Sequence, residues 1–319
     1  MSAKPPMIAV VIASRDRDDR LAAALTALDR QSLERDSFEL IVVRSGSALA
    51  GGVLESRPGT TLIEHTGPPG AAAQRNIGWR LARAAQIAFL DDDSRPAPEW
   101  LERLLSAAGE ATVVQGRIEP DPEQRHLLYG FARSAEITAQ SPRFEAGNIV
   151  YPRALLESLD GFDESFEGSA WGEDTDLGLR AVAAGARTRY VDDAVVLHAV
   201  IPRTLVSAIR ETARQDGLFR LLARHPAHRR ALYPAGFVKP THATLLLALV
   251  SLAVLRRPSA LVFSLPHLSY HLRNHLAASS ARPSQLARFA LHLPGVLVLD
   301  LAELAVTVRA AIRHRVPLL

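Results

Sequence analysis

Apolar residues in the first hundred positions fall into short β-branched runs separated by stretches of helical period. Met7–Ala13 (MIAVVIA) is the kind of run that a strand buried on both faces requires. Leu21, Leu25 and Leu28 follow at helical spacing, and Phe38–Val43 (FELIVV) predicts a second strand. Thr60–Glu64 predicts a third, short strand. Gly70–Ala85 predicts a helix with Ile77 and Leu81 on one face. Gln86–Leu90 (QIAFL) is a fourth strand that runs into Asp91-Asp92-Asp93. This alternation predicts an α/β fold with a mostly parallel sheet and helices on both faces. Ligands of such sheets bind beyond the carboxyl ends of the strands. Three predicted strand ends are polar: Ser14-Arg15-Asp16, Arg44-Ser45-Gly46-Ser47 and Asp91-Asp92-Asp93.

From Ala111 to His198 the pattern shortens into turns and brief strands. Glu173–Ala184 is helical, and Tyr190–Leu197 predicts a strand leading into His198. Beyond Arg203 the texture becomes Leu, Ala, Arg and His, a helical composition. Two regions are expected: a catalytic α/β domain over 1–203 and a mainly helical region over 204–319. The apolar runs Thr244–Leu255, Ser259–Leu268 and Phe289–Leu299 all fall short of the ~20 residues a spanning helix needs. Arg256-Arg257-Pro258 interrupts the first two, and Pro294 is expected to break the third.

The net charge of +3 conceals an asymmetry. Residues 1–198 carry 21 Lys+Arg against 30 Asp+Glu, and residues 199–319 carry 16 against 4. An acidic half suits a metal site. A basic, Leu-rich half suits an anionic membrane surface, with arginines at headgroup level. Nucleic acid is disfavoured as a partner, because aromatics are few and the charges interrupt Leu-rich runs. The expected location is the cytoplasmic side of a membrane, peripheral or monotopic, with an integral hairpin as the alternative. No secretory signal is evident at the start, and with no cysteines, disulfides and zinc–thiolate sites are excluded.

Four segments carry chemistry. On an extended backbone Asp91 and Asp93 point the same way and can share a hard divalent cation, magnesium or manganese. A solvated acidic turn is the plain alternative. Gly70–Gly78 (GAAAQRNIG) opens a helix whose free amides favour an anion, and Arg75 adds a fork of donors. In Gly172–Leu177 (GEDTDL), Glu173, Asp174 and Asp176 exceed what helix capping needs, and crowding can raise one carboxyl into the range of a base. His198 alone reads as a structural histidine; its place after the third segment makes it a candidate ligand.

Together these segments resemble glycosyltransferase family 2, the inverting transferases with the A-type glycosyltransferase fold. The resemblance runs in order over about residues 7–200: VVIASRDR, FELIVVRSGS, AAAQRNIG, IAFLDDDSRPAPEWL, GNIVYPRALLESLDGFDESF, GEDTDLGLR and His198. It implies that Asp91 and Asp93 frame the metal site, with His198 as a third ligand. It also implies Asp174 as the base, Arg75 and Asn76 in the pocket of a nucleotide-sugar donor, and Gly147 and Asn148 near the acceptor. The acceptor would be a glycan or a lipid-linked sugar of the cell envelope. One departure stands out. The family's second strand usually ends in Asp-Asp-Gly-Ser, and here Arg44 and Ser45 replace both acids. Asp16 is the candidate substitute for reading the nucleotide base. An inactive nucleotide-sugar-binding homologue, or another metal-dependent phosphoryl or nucleotidyl enzyme, remains the alternative. A dinucleotide oxidoreductase is disfavoured, since no G-x-G-x-x-G follows the first strand.

Overall fold

A computed structural model describes residues 5–46, 59–67, 70–166, 172–233, 236–278 and 283–317. Ser47 of the second polar strand end lies outside them.

Two compact units partition the chain. Among the described residues, the first holds the sequence up to Pro122, 134–166 and Gly172–Ala199, and the second takes Glu123–Arg133 and the residues from Val200 onward. In the first unit, β1 (Ile8–Arg15), α1 (Asp18–Leu28), β2 (Phe38–Ser45), β3 (Thr60–Glu64), α2 (Ala71–Leu81) and β4 (Gln86–Asp91) follow the predicted alternation. Then come β5 (Ser94–Pro96), α3 (Trp100–Ala107), β6 (Thr112–Pro120), β7 (Asn148–Pro152), α4 (Arg153–Leu159), α5 (Glu173–Ala183) and β8 (Arg187–His198). They build one mixed sheet of eight strands in the order β3-β2-β1-β4-β7-β6-β8-β5. Strands β3, β2, β1 and β4 are parallel, whereas β7 is antiparallel to both β4 and β6.

Ile8, Val10 and Ile12 of β1 share a fully buried core with Leu21, Leu25 and Leu28 of α1 and with Trp100, Leu101 and Leu104 of α3. Burying each such side chain contributes roughly 1.5–3 kcal/mol. On the other side of β1, α2 comes so close that a Cβ on Gly78 would lie 2.4 Å from Val11 Cγ1. That contact fixes where the first turn of α2 meets the carboxyl end of the sheet.

Two registers matter for the site. β4 pairs with β7 so that Leu90 faces Asn148, which sets Gly147 beside Asp91. β5 pairs with β8 so that Ser94 faces His198, which brings the end of β8 next to Asp93.

The second unit is helical: α6 (Leu205–Thr212), α7 (Asp216–Arg224), α8 (Arg229–Leu232), α9 (Pro240–Leu255), α10 (Leu265–Ala278) and α11 (Pro283–His314). One expectation is corrected here. Pro294 does not break its segment, and α11 runs through it for 32 residues. A proline removes one helical hydrogen bond and crowds the carbonyl four residues back. Here the next residue is Gly295, where the ring of Phe131 packs so closely that a Cβ would sit 2.7 Å from Cζ. Packing in this unit holds the segment helical. Leu286–His314 is consequently long and apolar enough to cross a membrane by length and composition, while α9 is a shorter apolar helix.

Candidate active site

The site begins where β4 ends. Asp91 is the last residue of the strand, and Asp92 and Asp93 form a turn. The turn spreads the three carboxylates over two arginines, Asp91 meeting Arg75 while Asp92 and Asp93 share Arg17. Asp92 is buried: its Oδ2 accepts from Ser14 Oγ at 2.8 Å and its Oδ1 from Arg17 Nη1 at 3.0 Å. Loss of hydration raises its carboxyl above the ordinary range, against the pull of Arg17. Asp92 thus ties β4 to the end of β1, and it shares Arg17 with Asp93.

Asp93 accepts from Arg17 Nη1 at 3.1 Å, and its Oδ1 lies 3.4 Å from His198 Nε2. His198 Nδ1 lies 2.7 Å from the carbonyl oxygen of Ala199, so Nδ1 carries the proton and donates there. Nε2 is the ring nitrogen left on the side of Asp93. Asp91, Asp93 and His198 each offer one ligand atom, and those atoms lie within 4.8 Å of one another. This donor set fits a divalent cation, and two carboxylates with one imidazole suit manganese or magnesium.

Arg75 joins this centre to α5. Its side chain is buried on α2; Nη2 donates to Asp91 Oδ1 at 3.0 Å and Nη1 to Glu173 Oε1 at 3.1 Å. Gly172, at φ +120°, turns the chain into α5 in a conformation that an L side chain rarely adopts. Behind it, Thr175 Oγ1 donates to the carbonyl of Arg143, and Gly178 lies against the ring of Phe144, which lock the helix start in place. Asp174 is held there with its Oδ1 accepting from the Thr175 amide at 2.8 Å. Its carboxyl is pushed well above the usual carboxylate range. Loss of hydration is the main cause, and the charges of Glu173 and Glu145 add to it. Arg75 and the Thr175 amide oppose the shift.

Other predicted residues take different places. Asp16 sits at the end of β1 in a left-handed backbone conformation (φ 51°), with its carboxylate in the space a Cβ on Gly46 would fill. It therefore stands at the junction of β1 and β2. Arg44 is buried and donates to Asp18 at 2.8 Å, so it serves α1 at that same junction. Asn148 is wholly buried: it accepts from Trp100 Nε1 and donates to the carbonyls of Arg117 and Ala194, each at 2.8 Å. The amide of Asn76 is spent likewise on the 162–164 turn. It donates to Phe162 O and Glu164 Oε1 and accepts from Phe162 N and Trp79 Nε1. Asn76→Ala would leave three buried groups without partners and should cost about 3 kcal/mol, seen as a lower Tm.

Sequence reasoning missed Arg17, Glu145 and the Ser14–Asp92 contact. Arg17 carried a signal, being basic at a strand end opposite three acids. Glu145 carried none.

The model of the family described as "Glycosyl transferase family 2" matches residues 9–154, and that described as "Glycosyl transferase family group 2" matches residues 86–276. The chain belongs to this family of glycosyltransferases. It is 29% identical to a pre-mycofactocin glycosyltransferase of Mycobacterium tuberculosis over 60% of its own length and 42% of the relative's. It is 30% identical to a validoxylamine A glucosyltransferase of Streptomyces hygroscopicus subsp. limoneus, over 56% of this chain and 49% of the relative. The matches thus span about half the length of these relatives. The solved structure of a mannosyltransferase from Pyrobaculum calidifontis in complex with GDP-Man and Mn2+ superposes with a TM-score of 0.58. It has 22% identity and covers 98% of this chain and 88% of that one, a likeness of fold.

Proposed function

We propose that this chain is a metal-dependent inverting glycosyltransferase that moves a sugar from a nucleotide-sugar donor to an acceptor hydroxyl in cell-envelope glycan or glycolipid synthesis. The observation that carries this reading is Arg75: one buried guanidinium links the carboxylate ending β4 to the first residue of α5, next to Asp174. A buried guanidinium, a trio of candidate metal ligands and a carboxyl with raised pKa support this reading together. Family membership and the fold likeness support the same chemistry.

Asp91, Asp93 and His198 would hold manganese or magnesium, which supplies positive charge to a departing diphosphate. Arg75 adds fixed positive charge beside them. Asp174 takes the proton of the acceptor hydroxyl as its oxygen bonds to the anomeric carbon. The bond from that carbon to the diphosphate oxygen breaks on the opposite face. One base and no enzyme nucleophile give inversion. Asp16, at the β1–β2 junction, is the candidate for contact with the nucleotide base. The test is a panel of nucleotide sugars with and without metal. Metal-dependent transfer or slow donor hydrolysis is the expected result. Donor binding with no turnover under any condition would make the chain an inactive homologue.

The helical unit fits attachment to a membrane at its cytoplasmic face. Val254 is 71% exposed, Leu291 79% and Ile312 74%, in a unit with sixteen basic side chains to four acidic ones over residues 199–319. Exposed apolar side chains among basic ones favour anionic lipid, at ~1 kcal/mol per basic residue near the surface. The full chain should sediment with anionic vesicles and be only partly released by high salt. Complete recovery in the supernatant at low salt would exclude this attachment.

A further inference from the structure

Residues 199–319 contain only four acidic side chains, and two of them, Asp300 and Glu303, are buried within one turn of α11. Burial of a charge requires a partner. Glu303 has Lys239, whose Nζ lies 2.6 and 2.7 Å from its two carboxylate oxygens. Asp300 is different. Among the described residues its ion-pair partners are two histidines of α10, with His271 Nε2 at 2.6 Å and His267 Nε2 at 3.1 Å from the same oxygen, Oδ2.

The hydrogen bonding of His267 narrows the possibilities. Its Nδ1 lies 3.1 Å from Thr244 Oγ1. The Thr244 hydroxyl is also 3.1 Å from the carbonyl oxygen of Thr241, to which it donates within α9. With the hydroxyl proton placed there, His267 Nδ1 is the donor toward Thr244. His267 is 2% exposed, and its Nε2 lies 3.1 Å from Asp300 Oδ2 without a hydrogen bond of acceptable geometry to it. Two imidazole nitrogens of α10 and one carboxylate oxygen of α11 thus converge inside the unit, close enough to share a cation.

We propose that His267, His271 and Asp300 form a second metal site, of the zinc class, that clamps α10 to α11. Histidines four residues apart lie on one face of a helix, the spacing that chelates zinc. The three ligand atoms lie within 4.8 Å of one another. Tetrahedral zinc with bonds of 2.0–2.2 Å sets its ligands roughly 3.3 Å apart, so small rotations of these side chains suffice. Two imidazoles and one carboxylate favour zinc over the harder ions that suit the Asp91–Asp93 pair. Thr244 supplies the outer hydrogen bond that fixes the His267 tautomer, a usual feature of metal-bound histidine. The inference stands apart from the transferase reading, since it rests on the helical unit alone.

The experiment uses tag-free full-length protein carrying Asp93→Ala and His198→Ala, which disables the other candidate site. The protein is stripped with chelator, titrated with zinc or cobalt, and dialysed. We expect close to one zinc retained per chain, a higher Tm with zinc, and the visible absorption of tetrahedral cobalt. Adding Asp300→Asn or His271→Gln should weaken zinc binding by at least ~100-fold, beyond the 10–100-fold typical of outer-shell changes. No zinc above the dialysis buffer in the parent double variant would overturn the proposal, and would leave an imidazolium–carboxylate network. Undiminished zinc affinity in Asp300→Asn would also overturn it. Should that variant fail to fold, the parent protein alone decides.

Discussion

Asp174→Asn should lose transfer by ~10²–10⁴-fold, keep most of its donor affinity, and melt at a higher temperature than the wild type. The first two effects follow from the role proposed for this residue. A general base acts in the transition state, whereas in the proposed division of roles Arg75 and the acids ending β4 would meet the donor in the ground state. The third follows from electrostatics. Asp174 carries a carboxyl raised well above its ordinary value, chiefly by lost hydration and then by Glu173 and Glu145. Between the ordinary value and that raised one, the folded state binds the extra proton. Stability therefore falls as pH rises through this window, and the penalty is present in full above it. Asparagine removes the charge and keeps the shape. The Tm gain should accordingly be small near the ordinary carboxylate value and grow with pH. Wild-type turnover should rise with pH over the same window as the base ionises. Wild-type-like turnover in Asp174→Asn would rule out the base. A lower Tm at every pH would rule out the electrostatic account.

Asp93→Ala should act at the earlier step. Asp93 is buried with its carboxylate shared between Arg17 and His198. Its loss takes a carboxylate from the trio and leaves the guanidinium of Arg17 to Asp92. Metal-dependent donor affinity should drop by more than ~10-fold in calorimetry, and excess manganese should restore it only in part. His198→Ala, which leaves both carboxylates, should raise the metal concentration for half-maximal rate and recover more fully with excess manganese. Unchanged donor affinity in Asp93→Ala would show that the division of labour between Asp93 and Asp174 is wrong.

Periodicity made the first half of the sheet legible, because β1, β2 and β4 are buried parallel strands. Apolar runs of that kind have few other uses. The acidic turn after β4 and the acidic start of α5 were legible for a related reason. Clustered carboxylates are costly, and a sequence that keeps them marks a place where something compensates. The β5–β8 pairing that carries His198 to Asp93 was not legible. Antiparallel partners far apart in sequence leave no local trace, and Ser94–Pro96 is too short to show alternation. Asn76 and Asn148 show the complementary limit. Their motifs were readable, but only the structure directed their amides to the backbone of Phe162 and to that of Arg117 and Ala194.

The helical region divides the same way. Its composition alone determined that it is helical, basic and apolar, since Leu, Ala and Arg favour helix and leave few acids to balance the charge. Its segment lengths were decided elsewhere. Pro294 lowers local helix propensity by ~3 kcal/mol, yet α11 runs on through it where Gly295 packs against Phe131. The meeting of His267, His271 and Asp300 is likewise tertiary. Spacing put both histidines on one face of α10, but only the packing of α10 on α11 could place a carboxylate opposite them. Backbone preference and hydrophobic period act over a few residues and can be read from the chain. The balancing of buried charge acts between elements, and only the folded structure decides it.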